Sequence, residues 1–364
     1  MNRARTASWS TFLAGLIAGP IATLLLVVAA GIHASISGWG YAVGAALTAA
    51  GLLSMPWRRR RGLTRAGLGL LLLVATARIL FAGGDRMDTL RLPSGDQRLV
   101  NRIVEERDGT LLAAHLLLFT GQIPRSDARD FILALDTAFD QLDADKGSFA
   151  TPAVATWLGL QSSDDFDTVV IPPEGSKSPD TAVVALHGFT GNFAVYCWQL
   201  SRAARAISAL TVCPSVGPLG DWWSPQGEKT LERTLAWLER RGIRRVYLSG
   251  LSNGGVGASV LAGRLTHSRL EFRGLILISG ASRVADTPRV PVLIVQGRHD
   301  SMFSARRMRA FAERTGKLAT YFEVDSGHFA FLDHADECER AIASWLRERE
   351  LNSYGRVTPV PSNG

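Results

Sequence analysis

The chain opens on a hydrophobic pattern that a water-soluble domain does not use. From residue 6 to residue 57 there are 52 consecutive positions without Asp, Glu, Lys or Arg, and His33 is the only ionisable side chain among them. A bilayer core of about 30 Å takes about 20 apolar residues per helix, so this stretch predicts two spans and a turn. They fall at 12–32 and 37–56, joined by the short polar connection 33–38, with Trp39 and Tyr41 as interface aromatics. A third apolar run, 66–84, is broken only by Arg78, which lies near one end where a long side chain reaches the interface. It predicts a third span, with a helix lying on the membrane surface as the alternative.

Farther on the pattern changes twice. Residues 89–160 read as mostly helical: apolar positions recur at helical spacing over 99–119 and 129–142, with Pro124, Ser126 and Asp127 available to open the second helix. No chemistry is evident there, and the segment reads as a connector or small cap. From residue 166 short apolar runs (168–171, 182–186, 210–212, 246–249, 274–279, 290–296 and 319–324) alternate with amphipathic helices at 194–207, 229–241, 256–265, 305–315 and 335–348. That alternation predicts a parallel sheet covered on both faces, with ligands at the carboxyl ends of its strands. The expected organisation is a membrane region at 1–87 with two or three transmembrane helices, a helical connector or cap at 88–160, an α/β domain at 161–350 and a disordered tail at 351–364.

Charge sharpens this division. The 364 residues hold 40 Lys and Arg against 33 Asp and Glu, a formal net charge of +7. Residues 1–88 contain nine arginines and two acids, so they carry the whole excess, and the rest is balanced at 31 of each sign. The run Arg58 to Arg61 with Arg65 abuts apolar spans and has no interleaved aromatics, which marks a topology signal and argues against nucleic acid as a partner. With this run and Arg3 and Arg5 on the cytoplasmic side, two spans lie between them, and a third carries everything after about residue 85 across the bilayer. The expectation is an integral membrane protein with an extracytoplasmic α/β domain. A transporter does not fit, because the spans are few and hold almost no polar groups beyond Arg78 and His33.

The candidate chemistry lies at strand ends. The run Val246-Tyr-Leu-Ser-Gly-Leu-Ser-Asn-Gly-Gly255 is an apolar strand followed by Gly-x-Ser-x-Gly and a small-residue helix. A serine on such a sharp turn has a strained backbone, and Gly250 and Gly254 leave room for the crowding. After the 182–186 strand comes His187-Gly-Phe-Thr-Gly191, where backbone N–H groups can face a developing oxyanion. The donors would be the N–H groups of Phe189 and of Asn253, the residue after the serine, while His187 reads as a structural residue of the loop. Downstream are Gly297-Arg-His-Asp300 and Asp325-Ser-Gly-His328, each beyond a predicted strand. A serine hydroxyl needs an imidazole to take its proton, and the imidazole needs a carboxylate to fix its tautomer, which points to Ser252, His328 and Asp300. Asp325 is a rival acid and Asp286 a reserve. His299 and His334 are less well placed as base, and His115 and His267 lack a matching strand-end loop.

At these residues the chain resembles the α/β-hydrolase superfamily over about half its length. The resemblance implies a central, mainly parallel eight-stranded sheet and acyl transfer through a covalent acyl-enzyme. It implies Ser252 as nucleophile, His328 as general base and then acid, Asp300 as its orienting partner, and Phe189 and Asn253 as the oxyanion hole. With little room for a lid between Ser279 and Val290, it is similar to the compact dienelactone hydrolase-like and esterase-like members. A cap would have to come from 89–160 or from the loop 214–226, where Trp222 and Trp223 either line an apolar substrate pocket or pack as core or membrane-facing residues.

The leading expectation is a membrane-anchored serine hydrolase of carboxylic esters, with a small-molecule ester or acyl substrate, the lipid bilayer as partner and no metal or organic cofactor. A serine peptidase or amidase and a non-catalytic binding module on the same fold are the alternatives. Cys197, Cys213 and Cys338 lack metal-ligand spacing; in an oxidising compartment Cys197 and Cys213 can pair and leave Cys338 free.

Overall fold

The computed structural model describes residues 2–58, 61–84, 87–127, 130–147, 149–175, 178–264 and 269–354. Arg59, Arg60, Arg86 and His267 lie outside the described residues, as do 355–364 of the expected tail; its first residues continue the last helix.

Three helices come first: α1 (Asn2–Gly31), α2 (Ile36–Arg58) and α3 (Arg61–Phe81). Within them Trp9–Gly31, Ile36–Ser54 and Gly62–Phe81 are long and apolar enough to cross a membrane. Each packs on the next, and α2 meets α3 through small residues. A Cβ on Gly51 would overlap Thr64, and one on Gly67 would overlap Thr48.

After α3 the chain enters strand β1 (Asp88–Leu92), then α4 (Val100–Ile103), α5 (Glu106–Phe119), α6 (Phe131–Lys146) and α7 (Ala153–Trp157). The remainder alternates: β2 (Phe166–Ile171), β3 (Thr181–Leu186), α8 (Phe193–Ala204), β4 (Leu210–Pro214), α9 (Pro225–Arg240), β5 (Arg245–Leu251), α10 (Asn253–Leu261), β6 (Glu271–Ile278), β7 (Val292–Gly297), α11 (Ala305–Thr315), β8 (Ala319–Val324), α12 (Ala330–Asp333) and α13 (Ala335–Tyr354). All eight strands form one sheet in the order β1-β2-β4-β3-β5-β6-β7-β8. Strands β3 to β8 are parallel, whereas β2 is antiparallel to both β1 and β4.

Alternate strand residues feed two apolar layers, as the period of two requires. Val183 and Ala185 face the layer built with α6, α8, α12 and α13, while Val184 and Leu186 face the one built with α9, α10 and α11. The eighth strand is a correction to the reading of 88–160 as helical. β1 pairs Asp88 with Val170 and Leu92 with Phe166 at the sheet edge. Five residues, of which only Thr89 and Leu92 are buried, offer too short an alternation to stand out in the sequence.

The segment between β1 and β2 also fastens the helical hairpin. Ser35, in the tip between α1 and α2, donates its N–H and hydroxyl to Asp108 at 2.8 Å each. The hydroxyl of Ser37 donates to Glu105 at 2.8 Å and that of Tyr41 to the Ile103 carbonyl at 2.8 Å. Arg78, near the end of α3, pairs with Glu105 at 3.1 Å. The first turn of α5 therefore holds the ends of all three apolar helices.

Candidate active site

Strand β5 delivers its chain into a turn at Ser252, whose backbone takes φ 54° and ψ −117°. A side chain in this region is strained by roughly 1–3 kcal/mol, and such strain persists only where neighbours enforce it. Here the enforcement is close packing: a Cβ on Gly250 would overlap the Gly254 carbonyl, and one on Gly254 would overlap that of Leu186. The Ser252 N–H donates to the Ile278 carbonyl at 2.9 Å, so β6 clamps the turn from the other side. The side chain is left standing above the carboxyl end of the sheet.

His328, in the loop after β8, brings Nε2 to 3.0 Å from the Ser252 hydroxyl. Its Nδ1 lies 3.0 Å from Asp300 Oδ2 in the loop after β7. Asp300 is buried and fully engaged: Oδ1 accepts the N–H groups of Met302 and Phe303 at 2.9 and 2.7 Å, and Oδ2 accepts the Gln296 amide at 2.9 Å. Three residues from three strand-end loops thus form one continuous hydrogen-bonded chain. The fold is that of the α/β hydrolases.

At this end of the sheet the loop after β3 closes the opposite wall. His187 is buried, and its Nε2 accepts the Val216 N–H at 3.1 Å while Nδ1 donates to the Gly188 carbonyl at 2.8 Å. Burial pushes its pKa down to about 4, so the ring is neutral near neutrality and serves to pin the loop. Beside it the N–H groups of Phe189 and Asn253 have no carbonyl partner among the described residues. Gly188 approaches the Ser252 turn closely enough that its Cβ would lie 3.0 Å from the Leu251 carbonyl.

The rival groups lie elsewhere. His299 pairs with Asp325 at 2.9 Å as an exposed couple, and His334 with Glu337 at 3.6 Å. Asp286 lies near Gly263, just past the C-terminal end of α10, and His115 bonds the Leu111 carbonyl of its own helix. Trp222 and Trp223, offered by the sequence as pocket residues, are placed differently. Trp222 is fully buried, donates to the His187 carbonyl at 2.9 Å and packs on Gly257. Trp223 is partly exposed, and neither lines the cavity at Ser252. The Trp222 ring wedges under the His187 loop, and its neighbour is left on the exposed side.

That cavity is instead roofed by the segment in which the sequence offered no chemistry. Leu117 of α5, Ile123, and Phe131 and Leu135 of α6 enclose it with Tyr196, Phe329 and Leu332. Phe131 stacks on Phe329, ring centres 3.7 Å apart, directly beside His328. Asp127, in the short 3-10 turn Arg125–Asp127, accepts the His328 N–H at 2.8 Å and the Ser301 N–H at 3.2 Å, and its other oxygen bonds the Ser301 hydroxyl. Both loops that carry the acid and the imidazole are thus tied to one carboxylate of the cap. No motif announced Asp127; its place as helix-opening residue was the only signal.

Glu106 makes a similar tie, accepting the Ala194 N–H at 3.0 Å at the start of α8, and burial pushes its pKa up to about 7. Cys197 of α8 and Cys213 of β4 are joined as a disulfide, and Cys338 is a buried free thiol.

No family model matches the chain, and no curated protein matches it. Among solved structures it is similar to Est1E from Butyrivibrio proteoclasticus, at 16% identity over 51% of this chain and 95% of that one, with a TM-score of 0.43. An alpha-beta serine hydrolase homologue from Coxiella burnetii aligns at 18% identity over 50% and 92%, TM-score 0.41. An a/b serine hydrolase without lid from Xanthomonas campestris does so at 18% over 51% and 90%, TM-score 0.42.

Proposed function

We propose that the chain is a membrane-anchored serine hydrolase that cleaves carboxylic esters through an acyl-enzyme. The observation that carries this reading is the continuous chain from Ser252 through His328 to Asp300, set beside two backbone N–H groups that have no carbonyl partner among the described residues. His328 Nε2 takes the Ser252 proton as the oxygen attacks the acyl carbon. The N–H groups of Phe189 and Asn253 receive the developing oxyanion. The protonated imidazole then gives its proton to the departing alcohol, and in the second half it activates water against the acyl-serine. Asp300 holds the Nδ1–H tautomer and offsets the positive charge that forms on the ring. The cavity's apolar walls suit an acyl chain better than a peptide, which favours ester over amide substrates.

The Arg-rich inner side and the Cys197–Cys213 bond together favour an extracytoplasmic catalytic domain, since disulfides persist in oxidising compartments. A compartment-sensitive reporter fused after α3 tests the side, and a cytoplasmic signal rejects it. A fluorophosphonate probe tests the chemistry: labelling of the wild-type chain that disappears in Ser252→Ala is expected. Absence of labelling on folded protein rejects the triad. Esters of graded acyl length run beside peptide amides decide the substrate class, and faster amide turnover assigns the chain as an amidase.

A further inference from the structure

Helix α5 has a cavity face and, opposite it, an apolar stripe. Thr110, Ala113, Ala114 and Leu117 line the cavity at Ser252. At 3.6 residues per turn, Asp108, Leu112, His115, Leu116 and Phe119 fall on the other side, at i, i+4, i+7, i+8 and i+11, with the half-buried His115 ring bonded to the Leu111 carbonyl of its own helix. The beginning of this stripe is fastened to the apolar hairpin. Asp108 binds Ser35 at its tip, and Leu112 shares one apolar cluster with Val28, Ile32 and Ala34 at the same end. The stripe therefore faces the end at which α1 and α2 leave their apolar spans. Farther along, Leu116 is 53% and Phe119 90% exposed, so the same face continues past the hairpin without protein beneath it. The end of α3 is held at the same turn through Arg78 and Glu105, and it exposes Leu80 and Phe81 there.

We propose that α5 is an interfacial helix: Leu116 and Phe119 seat in the headgroup and upper acyl region of the bilayer that α1 to α3 cross, and the cavity behind them takes an amphiphilic ester resident in that bilayer. The proposal rests on the readings of α1 to α3 as spans and of Ser252 as nucleophile. The occupant follows from continuity, because the stripe prolongs a face already bound to the ends of the apolar helices. A helix with one apolar stripe at the interface gains from burying large side chains there, and Phe and Leu are suited to it.

The test uses the full chain in phosphatidylcholine/phosphatidylglycerol vesicles, with an environment-sensitive fluorophore on a cysteine introduced by Phe119→Cys. Controls are Lys317→Cys, exposed before β8 at the end of the sheet remote from Ser252, and Leu24→Cys within α1. Lipids spin-labelled near the headgroup are expected to quench the fluorophore at 119 at least about threefold more than at 317. Equal quenching at 119 and 317, with position 24 quenched by deep labels, overturns the proposal alone. An unquenched position 24 overturns the spans, and the proposal with them. In a second arm, Leu116→Asp with Phe119→Asp is expected to slow hydrolysis of a long-chain ester in vesicles about tenfold or more, leaving kcat/KM for a water-soluble short-chain ester within about twofold. Equal loss on both substrates, or none on the vesicle substrate, overturns it; absence of any hydrolysis by the wild-type chain rejects the hydrolase reading itself.

Discussion

The carboxylate of Asp127 accepts the backbone N–H of His328 at 2.8 Å across 201 positions of sequence. The same carboxylate holds Ser301, next to Asp300, so the imidazole and its acid partner share one brace. Hydrogen bonds to a charged group contribute about 1.5–3 kcal/mol, so Asp127→Ala is expected to lower kcat about 10- to 100-fold with little change in KM. Asp127→Asn keeps an oxygen for both N–H groups and is expected to recover most of the rate. Steady-state kinetics over a pH series checks this, since a brace that sets the imidazole's position also shifts the profile in the alanine variant alone.

Asp300→Asn is expected to reduce kcat by up to about 10⁴-fold in a folded protein, because an amide cannot hold the required His328 tautomer. Asp286→Asn is expected to be silent, as Asp286 makes no contact with the imidazole. Kinetics of both variants, with melting curves as controls, distinguish them; an inactive Asp286 variant would reassign the acid.

Glu106 predicts a pH effect on stability. Burial raises its pKa to about 7 from an ordinary 4.5, so the folded state keeps a proton that the unfolded chain releases from about pH 4.5 upward. Stability from this group is therefore greatest below about pH 4.5, declines as pH rises to about 7, and stays reduced above it, by a few kcal/mol at most. Glu106→Gln retains an acceptor for Ala194 and removes the titration. The difference in melting temperature, variant minus wild type, is expected to grow between pH 5 and 8; a flat difference would contradict the assignment.

The two neighbouring tryptophans should part company. Trp222→Ala removes a fully buried ring beneath the His187 loop and is expected to cost about 3–5 kcal/mol. Trp223→Ala is expected to leave acyl-chain preference unchanged, whereas Leu135→Trp, which fills the cavity, should shift it toward shorter chains. Chemical denaturation and an ester-length series provide the readouts.

The strand-end motifs were legible because each is local: Gly-x-Ser-x-Gly, Gly297 to Asp300 and Ser326 to His328 each declare a loop at a strand's end, and a parallel sheet gathers such loops at one edge. Seven strands were visible as apolar runs; β2 to β5 and β7 are buried almost throughout, as strands covered on both faces are. β1 escaped notice because an antiparallel edge strand of five residues needs little apolar pattern. The parts contributed by the cap were hidden for another reason. Asp127, Phe131 and Leu117 are ordinary residues of helical segments, and their place at the site follows only from how α5 and α6 dock. Trp222 shows the converse, since aromatic bulk on a strand-end loop fits a pocket and a core equally well until burial decides.

The strand β1 begins only six residues after α3 ends, and it is paired with β2 along its whole length. Such a chain has no leash. A six-residue connection spans at most about 20 Å, so an enzyme anchored by α1 to α3 would patrol only the lipid within its own footprint. Its turnover would then follow the mole fraction of ester in the surrounding leaflet, and diluting that leaflet with inert lipid would slow it even when the total amount of substrate is unchanged.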